Sequence, residues 1–217
     1  MRSEFSAYLF DLDGTLVDTA PDIAAALNRQ LATLDLPALT TARVATWVGT
    51  GSAQLIRTAL THYDHPADDG TVARLLAAYG ADYARRAVEH SLPYPDAFAT
   101  LTALHARGAR LAIVTNKIAL VARNVLRHFA IDTMFEVVIG GDEVPRGKPD
   151  PLALTLACQR LQVDAAGCVM VGDSRNDIIA AHAAGMRAIA VNYGYNHGQP
   201  ISAANPDRII ASLRELL

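Results

Sequence analysis

The chain has 217 residues, a formal net charge of −3 and 51% apolar residues, enough for one sizeable core with a smaller second unit. No apolar run approaches the roughly 18 residues that span a bilayer, and no basic run is present to draw in a nucleic-acid backbone, so membrane and nucleic-acid partners are excluded and a cytoplasmic location is expected. Glu4 stands where a secretory signal would continue its apolar segment, and Cys158 and Cys168, without metal-ligand spacing, are expected to be reduced and buried.

In chain order, the first element is Tyr8-Leu9-Phe10, a short apolar run of the kind that forms a covered strand. It leads directly into Asp11-Leu12-Asp13-Gly14-Thr15-Leu16. A period of two sends Asp11 and Asp13 to the same side of the chain, and Gly14 lets the backbone turn sharply and approach a ligand. Such a pair suits a cation site with a nucleophile and a proton carrier; by itself it reads equally well as an Asx turn. Residues 21–90 then carry only helical patterns. Pro21 suits a first helical position, Ile23, Ala26, Leu27, Gln30 and Leu31 follow at helical spacing, and further helices are predicted over 41–47, 52–61 and 71–90. Pro93 and Pro95 mark the return. From there helices are predicted over 96–107, 118–129, 151–161 and 176–184, strands over 111–114, 137–139, 168–171 and 188–191, and a closing helix over 206–216. This alternation implies an α/β fold with helices packed on a parallel sheet. Counting the first strand, the sheet has five strands, drawn from residues 1–19 and 91–217, with an α-helical insert over 20–90.

Ligands of doubly wound sheets sit beyond the carboxyl ends of the strands, and the later segments carry chemistry there. Thr115-Asn116 offers a hydroxyl and an amide to phosphate oxygens, Gly147-Lys148-Pro149 puts an ammonium after a loop, and Gly172-Asp173-Ser174-Arg175-Asn176-Asp177 supplies a second pair of carboxylates. Each has a plainer reading: a helix cap for Thr115, Asn116, Asp173 or Ser174, a solvated side chain for Lys148. Their joint occurrence in one order favours a phosphoryl-transfer site.

This ordered set resembles the haloacid dehalogenase-like hydrolases over nearly the whole chain. The resemblance implies a Rossmann-like core with the insert as a cap, Asp11 as nucleophile and Asp13 as general acid and base. It also implies Thr115 and Lys148 on the phosphate, Asp173 as a magnesium ligand and Asp177 orienting the waters of the metal. Mg²⁺ takes few carboxylates and several waters, so Asp11, Asp173, the main-chain carbonyl of Asp13 and a phosphate oxygen would make its shell. Asn116 and the N–H groups of residues 12–14 would hold the remaining phosphate oxygens. Trp47-Val48-Gly49-Thr50-Gly51, Asn192-Tyr193-Gly194-Tyr195-Asn196 and Asn205-Pro206-Asp207 are similar to the phosphoglycolate phosphatases of that family, with Thr50 where Asn is usual.

The expected reaction is therefore Mg²⁺-dependent hydrolysis of a small phosphate monoester, 2-phosphoglycolate first, through an aspartyl phosphate. A sugar phosphate or pyrophosphate is the alternative substrate, and phosphomutase the alternative reaction. If Gly49, Thr50, Gly51 and Ser52 open a helix, their N–H groups could receive a small carboxylate; the same glycines make a simple interhelical turn equally well. Arg43 and Arg57 are candidate charge partners that read equally as solvated side chains. Carbon–halogen hydrolysis has no need of Asp173 and Asp177. Phosphonate cleavage in the family uses a lysine of the insert, and the only lysines here are Lys117 and Lys148. The rival outside the enzymes is a non-catalytic nucleotide-binding or regulatory protein. Its motifs fail, since Gln54 replaces the third glycine after Gly49 and Gly51, and Asp142 and Pro149 break a P-loop at Gly147-Lys148. Tyr193 and Tyr195 alternate in a way that could line the site or pack on the last strand, and packing is expected.

Overall fold

The computed structural model describes residues 4–86 and 88–217; the first three residues of the expected core and residue 87 of the expected fourth helix lie outside them. β1 (Ala7–Phe10) and the two-residue β2 (Val17–Asp18) are followed by α1 (Ala20–Ala32), α2 (Thr41–Ala45), α3 (Ser52–His62) and α4 (Asp69–Arg86). β3 (Leu92–Pro93) returns antiparallel to β2. Then come α5 (Ala97–Ala106), β4 (Arg110–Val114), α6 (Ala119–His128), β5 (Val137–Ile139), α7 (Leu152–Leu161), β6 (Cys168–Gly172), α8 (Arg175–Ala183), β7 (Arg187–Val191) and β8 (Arg208–Ile210).

Six strands form one parallel sheet in the order β5-β4-β1-β6-β7-β8. Alternate residues of each strand face opposite layers. Tyr8, Phe10, Leu111, Ile113, Val169 and Val171 join one core with Leu101, Leu104, Val121 and Val125 of α5 and α6. Ala7, Leu9, Ala112, Val114 and Met170 join the other with Leu154, Ala157, Ile178 and Ala181 of α7 and α8. Burial on both faces is why these strands read as unbroken apolar runs. Cys158 and Cys168 are buried and form no disulfide; the Cys158 thiol donates to Cys168 Sγ at 3.8 Å, and the Cys168 thiol to the Asp164 carbonyl at 3.2 Å. Among the described residues, no helix is long and apolar enough to cross a membrane.

The sheet has six strands, not five, because the expected closing helix over 206–216 does not form. Its first part is β8, paired in parallel with β7 from Ile189↔Arg208 to Val191↔Ile210. Its last part is a short 3₁₀ turn, Leu213–Leu216, capped by Ser212 and Glu215. Two physical facts explain the difference. Ile209-Ile210 is a β-branched pair that fits a pleated edge, and the buried Ile210, Leu213 and Leu216 recur at a spacing of three that a helix and a strand-plus-3₁₀ turn share. Asp207 fixes the start of the strand: its N–H donates to the Ala188 carbonyl at 2.9 Å, and its carboxylate accepts from the Ala188 N–H at 2.7 Å.

The helical stretch between β2 and β3 begins and ends at one buried carboxylate. Asp22, in the first turn of α1, accepts from the N–H groups of Glu89 (3.3 Å), His90 (3.0 Å) and Ser91 (2.8 Å) and from the Ser91 hydroxyl. These donors serve Asp22 rather than a helical ladder, so residues 88–90 stand outside α4 instead of continuing it as its pattern predicts. Asp22→Ala strands the donors and is expected to lower stability by about 1–3 kcal/mol. In urea this appears as a lower midpoint at an unchanged slope; an unshifted midpoint would show that the clamp contributes nothing.

Candidate active site

The three central strands end in phase. Phe10 stands opposite Ile113 on one side and Val171 on the other, so Asp11, Thr115 and Asp173 leave neighbouring strands at one rim. Asp11, Asp173 and Asp177 each offer a carboxylate oxygen within 4.8 Å of the others, and all three are buried. At Gly14 (φ 86) and Gly194 (φ 90) a β-carbon would collide with Asp173, so the backbone of both loops closes directly on that carboxylate. Asp173 accepts from the Thr15 hydroxyl at 2.9 Å and from the Tyr195 N–H at 2.8 Å. Both oxygens of Asp177 are engaged, one by Lys148 Nζ at 2.6 Å, the other by the N–H and hydroxyl of Ser174 at 3.0 and 2.7 Å.

Lys148 is the cation of this cluster. It arrives from the loop after β5, where Asn116 Nδ2 holds the Lys148 carbonyl at 2.8 Å. Its ammonium donates to the Val114 carbonyl at 2.6 Å and to Asp177, and lies 3.1 Å from Asp11 Oδ1. That last contact is an ion pair off hydrogen-bond geometry, which leaves Asp11 Oδ1 buried with no proton donor. Burial works to lower the Lys148 ammonium, but Asp11 and Asp177 outweigh it and hold it above its ordinary value. Burial pushes the Asp11 carboxyl up to about 6, against the pull of Lys148 and with the push of Asp177 and Asp13. Burial, then Asp177 and Asp11, raise Asp173 well above the usual carboxylate range. An orphaned oxygen on Asp11 and carboxyls raised by burial and by one another are the signs of a site built to take a cation. Asp11 Oδ1 takes no donor and each Asp173 oxygen takes one, from Thr15 or Tyr195, which leaves lone pairs for a cation, whereas Asp177 takes three donors, the Lys148 ammonium among them.

Asp13 faces away from this cluster. Its Oδ1 accepts from Thr19 at 2.5 Å and from Lys117 Nζ at 2.9 Å, and its Oδ2 lies 3.1 Å from the same ammonium. Lys117 also donates to the Tyr83 hydroxyl of α4 at 2.8 Å. Thr115 is buried, with its hydroxyl accepting from the Lys117 N–H at 3.3 Å. Asn116, expected on a phosphate oxygen, gives its amide protons to the carbonyls of Gly49 and Lys148. Gly49 accepts from Asn176 as well, at 3.1 Å, so the Gly49–Thr50–Gly51–Ser52 turn is tied over the strand ends, and Ser52 does open α3. Arg43 is exposed; Arg57 turns to the Ala67 carbonyl and Asp69.

Sequence reasoning overlooked Lys117, Thr15, Thr19, Asn176 and the bracing role of Tyr195. Tyr195 donates to Asp18 at 2.6 Å and accepts from the Ala20 N–H at 2.9 Å, while Tyr193 stacks on Tyr94 with ring centres 4.5 Å apart and donates to the Thr15 carbonyl. Both tyrosines thus pack against the Asp11–Asp18 loop rather than only on the last strand. A signal for Lys117 was available, since it directly follows Thr115-Asn116 and is one of two lysines in a chain with 17 arginines.

Between the strand ends and the helices lies a cavity of about 30 Å³ lined by Asp11, Asp13, Thr115 and Lys117 from the sheet side and by Trp47, Val48, Gly51, Ser52, Leu55 and Tyr79 from the helical side. Gly51, Ser52 and Asn116 also border an open groove of about 370 Å³ that reaches Lys148. The sequence pattern of the haloacid dehalogenase-like hydrolases matches residues 8–191, a span that holds every one of these acids and both lysines. The chain belongs to the haloacid dehalogenase-like hydrolases. It is therefore an enzyme. A phosphoglycolate phosphatase of Colwellia psychrerythraea is 41% identical over 99% of this chain and 96% of its own length. One of Pseudomonas savastanoi pv. phaseolicola is 41% identical over 96% of this chain and 77% of its own. The crystal structure of a predicted phosphoglycolate phosphatase from Haemophilus somnus superposes with a TM-score of 0.91 at 33% identity, covering 99% of this chain and 97% of the other. CbbY from Rhodobacter sphaeroides, solved as an aspartate-to-asparagine mutant with xylulose-1,5-bisphosphate, superposes at 0.82 with 26% identity, covering 97% and 96%.

The charge cluster makes a prediction about stability. A carboxyl at about 6 in the folded chain against 3.8 ordinarily keeps a proton that the unfolded chain gives up, so in EDTA stability falls as pH rises through that window. Asp173→Asn removes one repelling charge, and the Thr15 hydroxyl can reverse to suit the amide. At neutral pH in EDTA the variant is expected to be at least about 1 kcal/mol more stable than the parent. The difference fades as pH falls through the folded value and is gone below the ordinary 3.8, where folded and unfolded chains are both protonated. An added divalent cation should then stabilise the parent and not the variant. Identical thermal midpoints in EDTA at neutral pH would refute the repulsion.

Proposed function

We propose that this enzyme is a Mg²⁺-dependent phosphatase that hydrolyses 2-phosphoglycolate to glycolate and phosphate. The names and 41% identity of the relatives support the substrate. The observation in this chain that carries it is the small cavity beside Asp11 and Asp13: about 30 Å³ with Trp47, Val48, Leu55 and Tyr79 as walls, suited to a short leaving group. The second reading, a sugar bisphosphate as bound by the Rhodobacter neighbour, would need these walls displaced by a ring or an extended chain. In this reading residues 1–19 and 91–217 form the catalytic core and residues 20–90 the cap. A cavity with room for roughly two waters admits the ester when the cap moves outward and is sealed when it returns.

Asp11, Asp173 and the main-chain carbonyl of Asp13 would hold Mg²⁺, with Asp177 behind them; when bound, the ion offsets the phosphate charge that would repel an anionic nucleophile. Lys148 adds an ammonium on the same side, and the Thr115 hydroxyl donates to a non-bridging oxygen. Asn116 keeps Lys148 and Gly49 in place. A carboxylate oxygen of Asp11 attacks phosphorus as the bond to the glycolate oxygen breaks, and that oxygen takes a proton from Asp13. Water then attacks phosphorus of the aspartyl phosphate and passes its proton to Asp13, releasing phosphate and restoring the Asp11 carboxylate.

Asp11→Asn is expected to show neither turnover nor the mass increment of a phosphoenzyme in acid-quenched samples, and Asp13→Asn to lower kcat by about 10²–10⁴. Across a panel of sugar phosphates, nucleotides, pyrophosphate and 2-phosphoglycolate, kcat/KM should be highest for phosphoglycolate. A hexose phosphate or pyrophosphate in first place would refute the substrate, and near-normal turnover by Asp11→Asn would refute the covalent step.

A further inference from the structure

We infer that Lys117 reads the carboxylate of the leaving group and so determines specificity, an inference that deepens the phosphoglycolate reading and rests on it. The chain has only two lysines, and both are buried at this rim, Lys117 6% and Lys148 5% exposed. Lys148 belongs to the acid cluster. Lys117 does not: its ammonium lies against Asp13, on the side of the site where the ester oxygen departs. It is the one cationic side chain among the described residues that line the small cavity, and its neighbours there are Ile23, Trp47, Val48, Leu55 and Tyr79. Asp11 and Asp13 line the same cavity, and the three ammonium protons of Lys117 serve Asp13 and the Tyr83 hydroxyl, so a substrate carboxylate would bond Lys117 by taking the place of one of these acceptors, in a cavity whose apolar walls strengthen the exchange.

The reach fits. Asp13 protonates the bridging oxygen, so that oxygen sits beside Asp13, and the glycolate carboxylate begins two bonds farther along the chain. Lys117 Nζ touches both Asp13 oxygens and the Tyr83 hydroxyl, with the Tyr83 ring centre 4.4 Å away. Its backbone is fixed: the N–H donates to Thr115 Oγ1 and the carbonyl accepts from the Gly141 N–H at 2.9 Å. The charge is therefore presented by the rigid β4–α6 connection, while Tyr83 brings the third contact from α4. Arg43 and Arg57 do not compete for this task, since one is exposed and the other is committed to Ala67 and Asp69.

The test is a ratio, kcat/KM for 2-phosphoglycolate over kcat/KM for 2-hydroxyethyl phosphate, an ester of the same length without the carboxylate. In Lys117→Met both rates fall, because Asp13 loses its partner, and the ratio is expected to fall by about 10- to 100-fold as one charge-assisted hydrogen bond is lost. Lys117→Arg, which keeps the charge, should restore part of the ratio. In an Asp11→Asn background, Lys117→Met should weaken calorimetric binding of phosphoglycolate by a similar factor and that of inorganic phosphate much less. If Lys117→Met does not fold by circular dichroism, Lys117→Gln is read in the same way. A parent ratio near one sinks the phosphoglycolate reading and this inference with it; a high parent ratio that survives in Lys117→Met overturns the role of Lys117 alone.

Discussion

The interaction on which the rest of the structure depends is the contact of one buried ammonium, Lys148, with two of three buried carboxylates. Asp11, Asp173 and Asp177 would drive each other apart at a separation of under 4.8 Å were it not for that charge and the hydroxyl and N–H donors around them. Lys148 touches Asp11 and Asp177 directly, while Thr15 and Tyr195 hold Asp173. With Asp13 and Lys117 included, four carboxylates face two ammonium groups. The deficit is two charges, which is the charge of a divalent cation, and the raised Asp11 and Asp173 carboxyls are how the folded chain accommodates that deficit with protons. Buried like charges cost stability, so their persistence here is the mark of a site kept for chemistry rather than for folding.

Sheet topology is what makes such an arrangement attainable. β1 lies at the point where the strand order turns back, with β4 on one side and β6 on the other, and neighbouring parallel strands lie about 4.8 Å apart. A single residue placed just past each strand therefore meets the residues just past its neighbours, whatever their distance in sequence. Glycine does the close work: Gly14 and Gly194 allow two loops to rest on the Asp173 carboxylate where any side chain would collide.

This geometry explains why much of the site was legible in the sequence. Strands buried on both faces read as apolar runs, each ends at a polar break, and Asp11, Thr115 and Asp173 sit at those breaks. The boundaries of β4, β5, β6 and β7 follow the same signal to within a residue or two. What was not legible depends on contacts from a distance. β8 looked helical because its few buried residues recur at a spacing of three, and pairing with β7 decided between the two forms. The departure of residues 88–90 from α4 is set by Asp22, more than sixty residues earlier. Asn116 offered an amide that suits a phosphate equally well as two carbonyls, and only the fold brings Gly49 and Lys148 to it. Lys117 follows a recognised motif, but its partners, Asp13 and Tyr83, come from opposite ends of the helical stretch.

The polar links between the helical stretch and the strand ends set how tightly the site is held shut. They include the two amides on the Gly49 carbonyl, from Asn116 and Asn176, and the Tyr83 hydroxyl on Lys117. Each such bond has a net worth of about 1 kcal/mol, so together they favour closure without locking it. That balance suits the proposed phosphatase, whose short substrate would enter between the helices and the strand ends. In the proposed reaction closure would keep water from the aspartyl ester until the leaving group departs, with the helices able to separate once per turnover. Because Lys117 bonds both Asp13 and Tyr83, a separation of α4 from the strand ends would also remove one partner from the ammonium beside Asp13, and under the proposed mechanism this would couple access to the site with the electrostatics at the departing oxygen.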